Sequence, residues 1–194
     1  MTGFFIPCVS ADAKYEFQYG YKIPTPLVIT GTAVMDIDII AINANFDVEL
    51  CKIIKQVGAE FGAVGEGFGP SDAEVLNMSH FYHDGASSLY LVALVNGKLV
   101  GGCGIAPFNN SKTTCELKKL FLLPDGRKLG LGKKLSLQCL AYAQTKGFTE
   151  CYLDTLSSMQ SAIGLYETLG FTHLDMPLTG TQHGGCDIWM LKQL

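Results

Sequence analysis

Charged residues are scarce in this chain: Asp, Glu, Lys and Arg together make up 16% of its 194 residues, against about 25% in an ordinary domain. The formal net charge is -4. Without a basic surplus there is no electrostatic footprint for a phosphate backbone, which excludes sequence-independent nucleic-acid binding. Long apolar runs are missing too. No stretch approaches the roughly 18 residues of a membrane span, and the start lacks a basic segment followed by an apolar core. We therefore expect a cytoplasmic protein with no membrane partner. Seven cysteines are present without any Cys-x-x-Cys pair, which excludes the common zinc and dithiol motifs and, with the odd count, implies reduced thiols. Internal repeats and low-complexity tracts are absent as well. What the chain does have is an interior. Hydrophobic residues make up 48% of it, and the length suits one domain that folds without a metal or disulfide.

Residues 1–34 carry turn formers (Gly20, Pro24, Pro26, Gly31) and no sustained period, and they read as an N-terminal extension outside the domain. The domain is expected over 35–194. A β-branched run at 37–42 reads as its first strand. From Asp47, a candidate N-cap, Leu50, Ile54, Val57 and Phe61 recur at helical spacing until Gly62. The glycine-rich stretch 62–88 reads as a mobile loop containing a second helix at about 72–82. Two apolar runs, 89–95 and 99–105, flank Asn96-Gly97, the strongest short hairpin signal. A strand at 115–123 stops at Pro124, and a helix follows from about Gly130 to a stop at Gly147. Then come a strand at 151–155, a helix to Leu169 opened by Ser157-x-x-Gln160 as a capping box, and closing strands at 172–174 and 187–191. The order predicts an α/β (α+β) mixed sheet, with parallel and antiparallel pairing and helices on both faces.

The sharpest local signal is the passage from strand to helix around Pro124-Asp-Gly-Arg127-Lys128-Leu129-Gly130-Leu131-Gly132-Lys133. A helix N-terminus exposes unpaired N–H groups and the positive end of its dipole, which suits a pyrophosphate. Gly130 and Gly132 carry no Cβ to hold phosphates away, and Arg127 or Lys133 can add positive charge. Leu135 stands where a dinucleotide fingerprint needs its third glycine, and no Gly-Lys-Ser/Thr completes a P-loop. A plain strand-to-helix connection remains the alternative.

Arg127-x-x-Gly130-x-Gly132 resembles the coenzyme A motif, Gln/Arg-x-x-Gly-x-Gly/Ala, of the GNAT superfamily. A second motif, Leu165-Tyr166-Glu167-Thr168-Leu169-Gly170-Phe171, lies in the corresponding place, and the likeness covers about residues 35–194. The resemblance implies a GNAT-like acyl-CoA N-acyltransferase fold built on a mostly antiparallel sheet, and an acetyl-CoA-dependent N-acetyltransferase without a metal. It places the pantetheine arm along Leu120, Phe121 and Leu122, and the pyrophosphate over Arg127, Lys128, Leu129, Gly130, Leu131, Gly132 and Lys133. Many members carry glycine at the place of Lys128 and asparagine at that of Met159, so any contact of that amide is lost here.

An amine with a pKa of about 10.4 is an ammonium at neutral pH, so its attack on a thioester needs a base, and the leaving thiolate benefits from an acid. The resemblance nominates Tyr166 as acid and Glu116, fourteen residues before Gly130, as base. It also puts an oxyanion donor on the backbone near Phe121. The bland alternatives are a tyrosine packed on the helical face of Ala162, Ile163 and Leu169, and a carboxylate paired with its strand neighbour Lys118. His80 and His83 lack a third metal ligand. His183 lies in the loop with which family members often border the acceptor pocket, where a solvated loop histidine is the plainer reading, and Asp154 and Thr155, at a strand end, are positioned to face the same acceptor. The expected acceptor is a primary amine of a small molecule or of an amino-acid-like compound. Protein or peptide acetylation, a non-catalytic acyl-CoA sensor and a homodimer stay open.

Overall fold

The computed structural model describes residues 28–30 and 33–194. The expectation for residues 1–34 falls mostly outside them. Within its last part, β1 (Val28–Thr30) and β2 (Ala33–Met35) pair with each other as a two-stranded antiparallel sheet.

The chain then continues through β3 (Ile37–Ala41), helix α1 (Asp47–Glu60), the short helix α2 (Met78–Phe81), β4 (Leu89–Val95), β5 (Lys98–Pro107) and β6 (Thr114–Leu122). Helix α3 (Leu131–Thr145), β7 (Glu150–Thr155), helix α4 (Gln160–Thr168), β8 (Thr172–Leu174) and β9 (Ile188–Gln193) complete it. Seven strands form one sheet in the order β3-β4-β5-β6-β7-β9-β8, and only β6 and β7 run parallel. This is the mixed, mostly antiparallel sheet that the element order predicts.

The run 89–95 is apolar throughout because both faces of the sheet are covered. Leu91 and Ala93 point to one core, with Cys103, Ile105 and Leu117 from the neighbouring strands, Leu135 and Cys139 from α3, and Leu169 after α4. Tyr90 and Val92 alternate to the other, with Leu99, Phe121 and the α1 residues Leu50, Ile54 and Val57. The β4–β5 turn places Asn96 (φ 50°) and Gly97 (φ 75°) in the left-handed region, as a two-residue type I′ hairpin requires. The six described cysteines are unpaired. No helix among the described residues is long and apolar enough to cross a membrane.

Three local readings change in the tertiary context. Asp47 belongs to the first turn of α1 and makes no cap there; its buried carboxylate accepts hydrogen bonds from the Ser79 N–H (2.8 Å) and hydroxyl (2.6 Å). The helix expected at 72–82 shrinks to a 3₁₀ turn at Ala73–Leu76 followed by α2. That segment is anchored, since Val75 and Met78 are fully buried in the α1 core. Ser157 does not cap α4, because its N–H and hydroxyl both donate to Asp187 (2.7 and 2.6 Å). Losing hydrogen bonds to a buried carboxylate costs about 1.5–3 kcal/mol. Asp47→Ala should therefore lower stability by about that amount, read as a lower urea midpoint at unchanged slope. An unchanged midpoint would show that the Ser79 contact does not hold the 62–88 segment to α1.

Candidate active site

The site begins where two strands part. Parallel pairing of β6 with β7 ends at Glu116↔Tyr152, after which β7 pairs only with β9. Opposite Gly102 to Gly104 the β5–β6 register shifts, and Lys119 adopts φ 53° in the irregular stretch. A left-handed residue other than glycine costs about 1–2 kcal/mol. Two ion pairs of its ammonium, to Asp72 (2.7 Å) and Glu74 (2.5 Å), and a hydrogen bond from the Tyr90 hydroxyl to its carbonyl (2.9 Å) hold it there.

The gap between the diverging strands is a cavity of about 60 Å³. Glu116 to Phe121 line one wall, Asp154 to Leu156 the other, and Met159, Tyr166 and His183 close the end. Leu120 and Phe121 thus face it, while Leu122 pairs with Gly101 at the end of β6. Thr155 is buried beside Met159 (Oγ1 to Sδ 3.5 Å). Tyr166 is buried at this wall, packed edge-on to Phe171 (5.9 Å). Its hydroxyl makes no hydrogen bond with any described residue, and burial raises its pKa well above the usual phenol range, so the proton stays on at neutral pH.

Beyond β6 the chain turns into α3. Lys128 (φ 61°) and Gly130 (φ 73°) are both left-handed; for Lys128 this is the physical reason a glycine is at home at that position. No side chain caps the helix. Lys134 is the first residue of α3 to find a main-chain acceptor (Gly130 carbonyl, 3.1 Å), which leaves the N–H groups of Leu131, Gly132 and Lys133 open. Leu131 points its side chain into the core, Leu129 packs partly against it, and Lys133 is exposed. Arg127 is engaged elsewhere. Its guanidinium grips Glu60 at the end of α1 through two 2.6 Å bonds, donates to the Leu122 carbonyl (2.9 Å) and lies over the Phe61 ring.

Around His183, which also lines the cavity, a charged network gathers residues from four parts of the chain. His183 is buried, with Nδ1 2.9 Å from Asp154 and 3.6 Å from Glu116, and Nε2 3.1 Å from Asp72. Burial alone would pull its pKa down; the hydrogen bonds to Asp154 and Asp72 outweigh this and hold it up at about 9. Both ring nitrogens therefore carry protons and donate at neutral pH. Asp72 is in turn held down at about 2, because His183 and Lys119 overcome the cost of its burial. Glu116 is different. Burial pushes its carboxyl up, Asp154 adds to this, and Lys118 (3.8 Å) and His183 only partly offset it. Its carboxylate makes no hydrogen bond to any described residue. Glu116, Asp154 and His183 form a group with metal-ligand spacing, within 4.8 Å of one another, but both histidine nitrogens already donate to carboxylates. His80 and His83 are exposed and gather no third ligand among the described residues.

The family model for the acetyltransferase (GNAT) family matches residues 60–171, a span that runs from the end of α1 through the divergent strands and the α3 turn to Phe171. The chain belongs to the GNAT acetyltransferase family. An uncharacterized N-acetyltransferase of Escherichia coli, YjgM, is 39% identical over 147 residues, covering 75% of this chain and 87% of that protein. Among solved structures, a GNAT-family acetyltransferase of Staphylococcus aureus superposes with a TM-score of 0.69 at 24% identity, over 81% of this chain and 99% of that one. The PaiA N-acetyltransferase of Thermoplasma acidophilum, solved with coenzyme A, gives 0.66 at 21% identity over 82% and 99%. Both share the fold.

Within this GNAT domain the glycine turn, Tyr166 and Glu116 are visible in sequence. Asp72, Glu74 and Lys119 are not. Asp72 lies 111 residues from His183, and nothing in their local patterns links them. For Asp154 and His183 the signal is position alone, a strand end and the loop before the last strand.

Proposed function

We propose that this GNAT acetyltransferase moves an acetyl group from acetyl-CoA to a primary amine of a small molecule by direct attack in a ternary complex. The catalytic domain in this reading is 35–194. One observation carries it: Glu116, whose buried carboxylate makes no hydrogen bond to any described residue, lines both the cavity that Tyr166 lines and a second, larger cavity. A base placed there can take a proton from an amine on one side as the amine meets a thioester on the other. The unpaired cysteines suit a reducing compartment such as the cytoplasm.

The residues present fit coenzyme A. Three open N–H groups at the start of α3 offer charge-assisted hydrogen bonds to a pyrophosphate, and a Cβ built on Gly130 would meet no atom within 4 Å, so the approach is clear. Because Arg127 already pairs with Glu60, backbone donors and the exposed Lys133 carry most of this contact. Residues Leu120 to Leu122 receive the pantetheine arm. Acetyl-CoA supplies the activated acetyl group. Glu116 accepts a proton from the acceptor ammonium, a backbone N–H near Phe121 steadies the developing oxyanion, and Tyr166 returns a proton to the departing sulfur.

Gly130→Val and Gly132→Val should each weaken CoA binding about tenfold or more, the equivalent of one lost hydrogen bond to a charged group. A Cβ on Gly132 also comes within 3.2 Å of the tip of Leu165, so calorimetry is paired with thermal melting. If both folded variants bind CoA as tightly as the parent, the pyrophosphate does not sit on this turn.

A further inference from the structure

We infer that the acceptor is a small hydrophilic amine bearing a single ammonium and, close to it, neutral hydrogen-bonding groups such as hydroxyl or amide. This rests on the reading of Glu116 as base and extends it to the class of molecule that reaches that residue. The second cavity, about 170 Å³, shares Glu116, Lys118 and His183 with the first and is otherwise lined chiefly by Asn109, Asn110 and Gln182. An engineered cavity of about 150 Å³ holds benzene, so this one accommodates roughly six to eight heavy atoms on that scale.

Three properties of the lining select the chemistry. The first is polarity: nearly all its exposed surface belongs to polar atoms, and the Phe108 ring turns inward onto Tyr152 (4.9 Å). An alkyl or aryl amine would leave those polar groups unsatisfied. The second is unused hydrogen-bonding capacity. The amides of Asn109, Asn110 and Gln182 make no hydrogen bond with any described residue, whereas those of Gln160 and Gln193 do. Each offers both donors and an acceptor, a match for hydroxyl or amide groups. Gly180, at φ 100°, leaves room for this: a Cβ there would stand 2.6 Å from the Asn109 amide nitrogen.

The third is charge. Asp72, Glu74, Glu116 and Asp154 face Lys118, Lys119 and His183, which leaves one negative charge uncompensated. A single ammonium beside Glu116 completes the balance. A second positive charge would meet Lys118 and His183, and a carboxylate would find both of those cations already held by acids. A polyamine and a zwitterionic amino acid are thus disfavoured along with apolar amines.

The test is equilibrium binding to the full chain, by calorimetry with and without saturating CoA, of serinol and serinamide against butylamine, phenethylamine, spermidine and serine. Serinol and serinamide should bind at least tenfold tighter than the other four. Gln182→Leu and Asn110→Ala, both at exposed positions, should each erase most of that margin by weakening the binding of serinol and serinamide. If an apolar amine, spermidine or serine binds as well as serinamide, if neither hydrophilic amine binds, or if the two variants change nothing, the inference is overturned. Hydrophilic amines that bind as expected but are not acetylated when acetyl-CoA replaces CoA would also overturn the inference, whereas their acetylation by Glu116→Gln at the parent's rate would sink the catalytic reading of Glu116 alone.

Discussion

Glu116→Gln is expected to lower kcat by about 10²–10⁴-fold, the usual contribution of a general base, with CoA affinity unchanged. The substitution keeps the shape and removes the proton acceptor. Because burial raises the Glu116 carboxyl and the residue works ionised, kcat/KM of the parent should fall as the pH drops through that raised value. The neighbours give this limb two opposite displacements. His183→Gln removes a cation that favours the carboxylate, so the limb should move to higher pH. Asp154→Asn removes an anion that disfavours it, so the limb should move lower. Lys118 on the same strand and Lys119 beyond it act in the sense of His183. Movement of both variants in one direction, or a Glu116→Gln enzyme within threefold of the parent, would show that solvent or another group takes the proton.

Tyr166→Phe should also lower kcat by about 10²–10⁴-fold while folding and CoA affinity are kept. The ring fills the same space against Phe171, and the hydroxyl that is lost makes no hydrogen bond to any described residue, so its removal leaves no partner unsatisfied. That separates chemistry from packing more cleanly than most tyrosine substitutions allow. The measurement is steady-state kinetics at saturating acetyl-CoA, with thermal melting alongside. A kcat within about threefold of the parent, well short of the general-acid range, would make Tyr166 a packing residue of the α4 face, as its helical spacing with Ile163 and Leu169 also permits.

The two candidate catalytic residues differ in how far sequence reaches them. Tyr166 sits in a motif with its own helical period and its own glycine stop, so a resemblance can carry it. For Glu116 a strand neighbour, Lys118, offered a plain salt bridge, and the structure does place their charges 3.8 Å apart. What makes Glu116 stand out is its burial and the end of β6–β7 pairing at that residue, neither of which has a local signature. Arg127 illustrates the converse. Its motif position suggested an anion, while its guanidinium is directed to Glu60, 67 residues earlier.

The sequence by itself determined the strands, the main helices and the anion-ready turn, because these follow from interactions between near neighbours. Two apolar runs flanking Asn96-Gly97 dictate a hairpin, and Gly130 permits the left-handed step into α3. Tertiary structure alone decided the charges of the site and the shape of its cavities. The only parallel pair in the sheet ends at Glu116, opening the gap between β6 and β7, and that opening lets Asp72, Asp154 and His183 meet from distant segments. An ion pair depends on which buried atoms come within a few ångströms of one another, and sheet order, which no local pattern encodes, sets that distance.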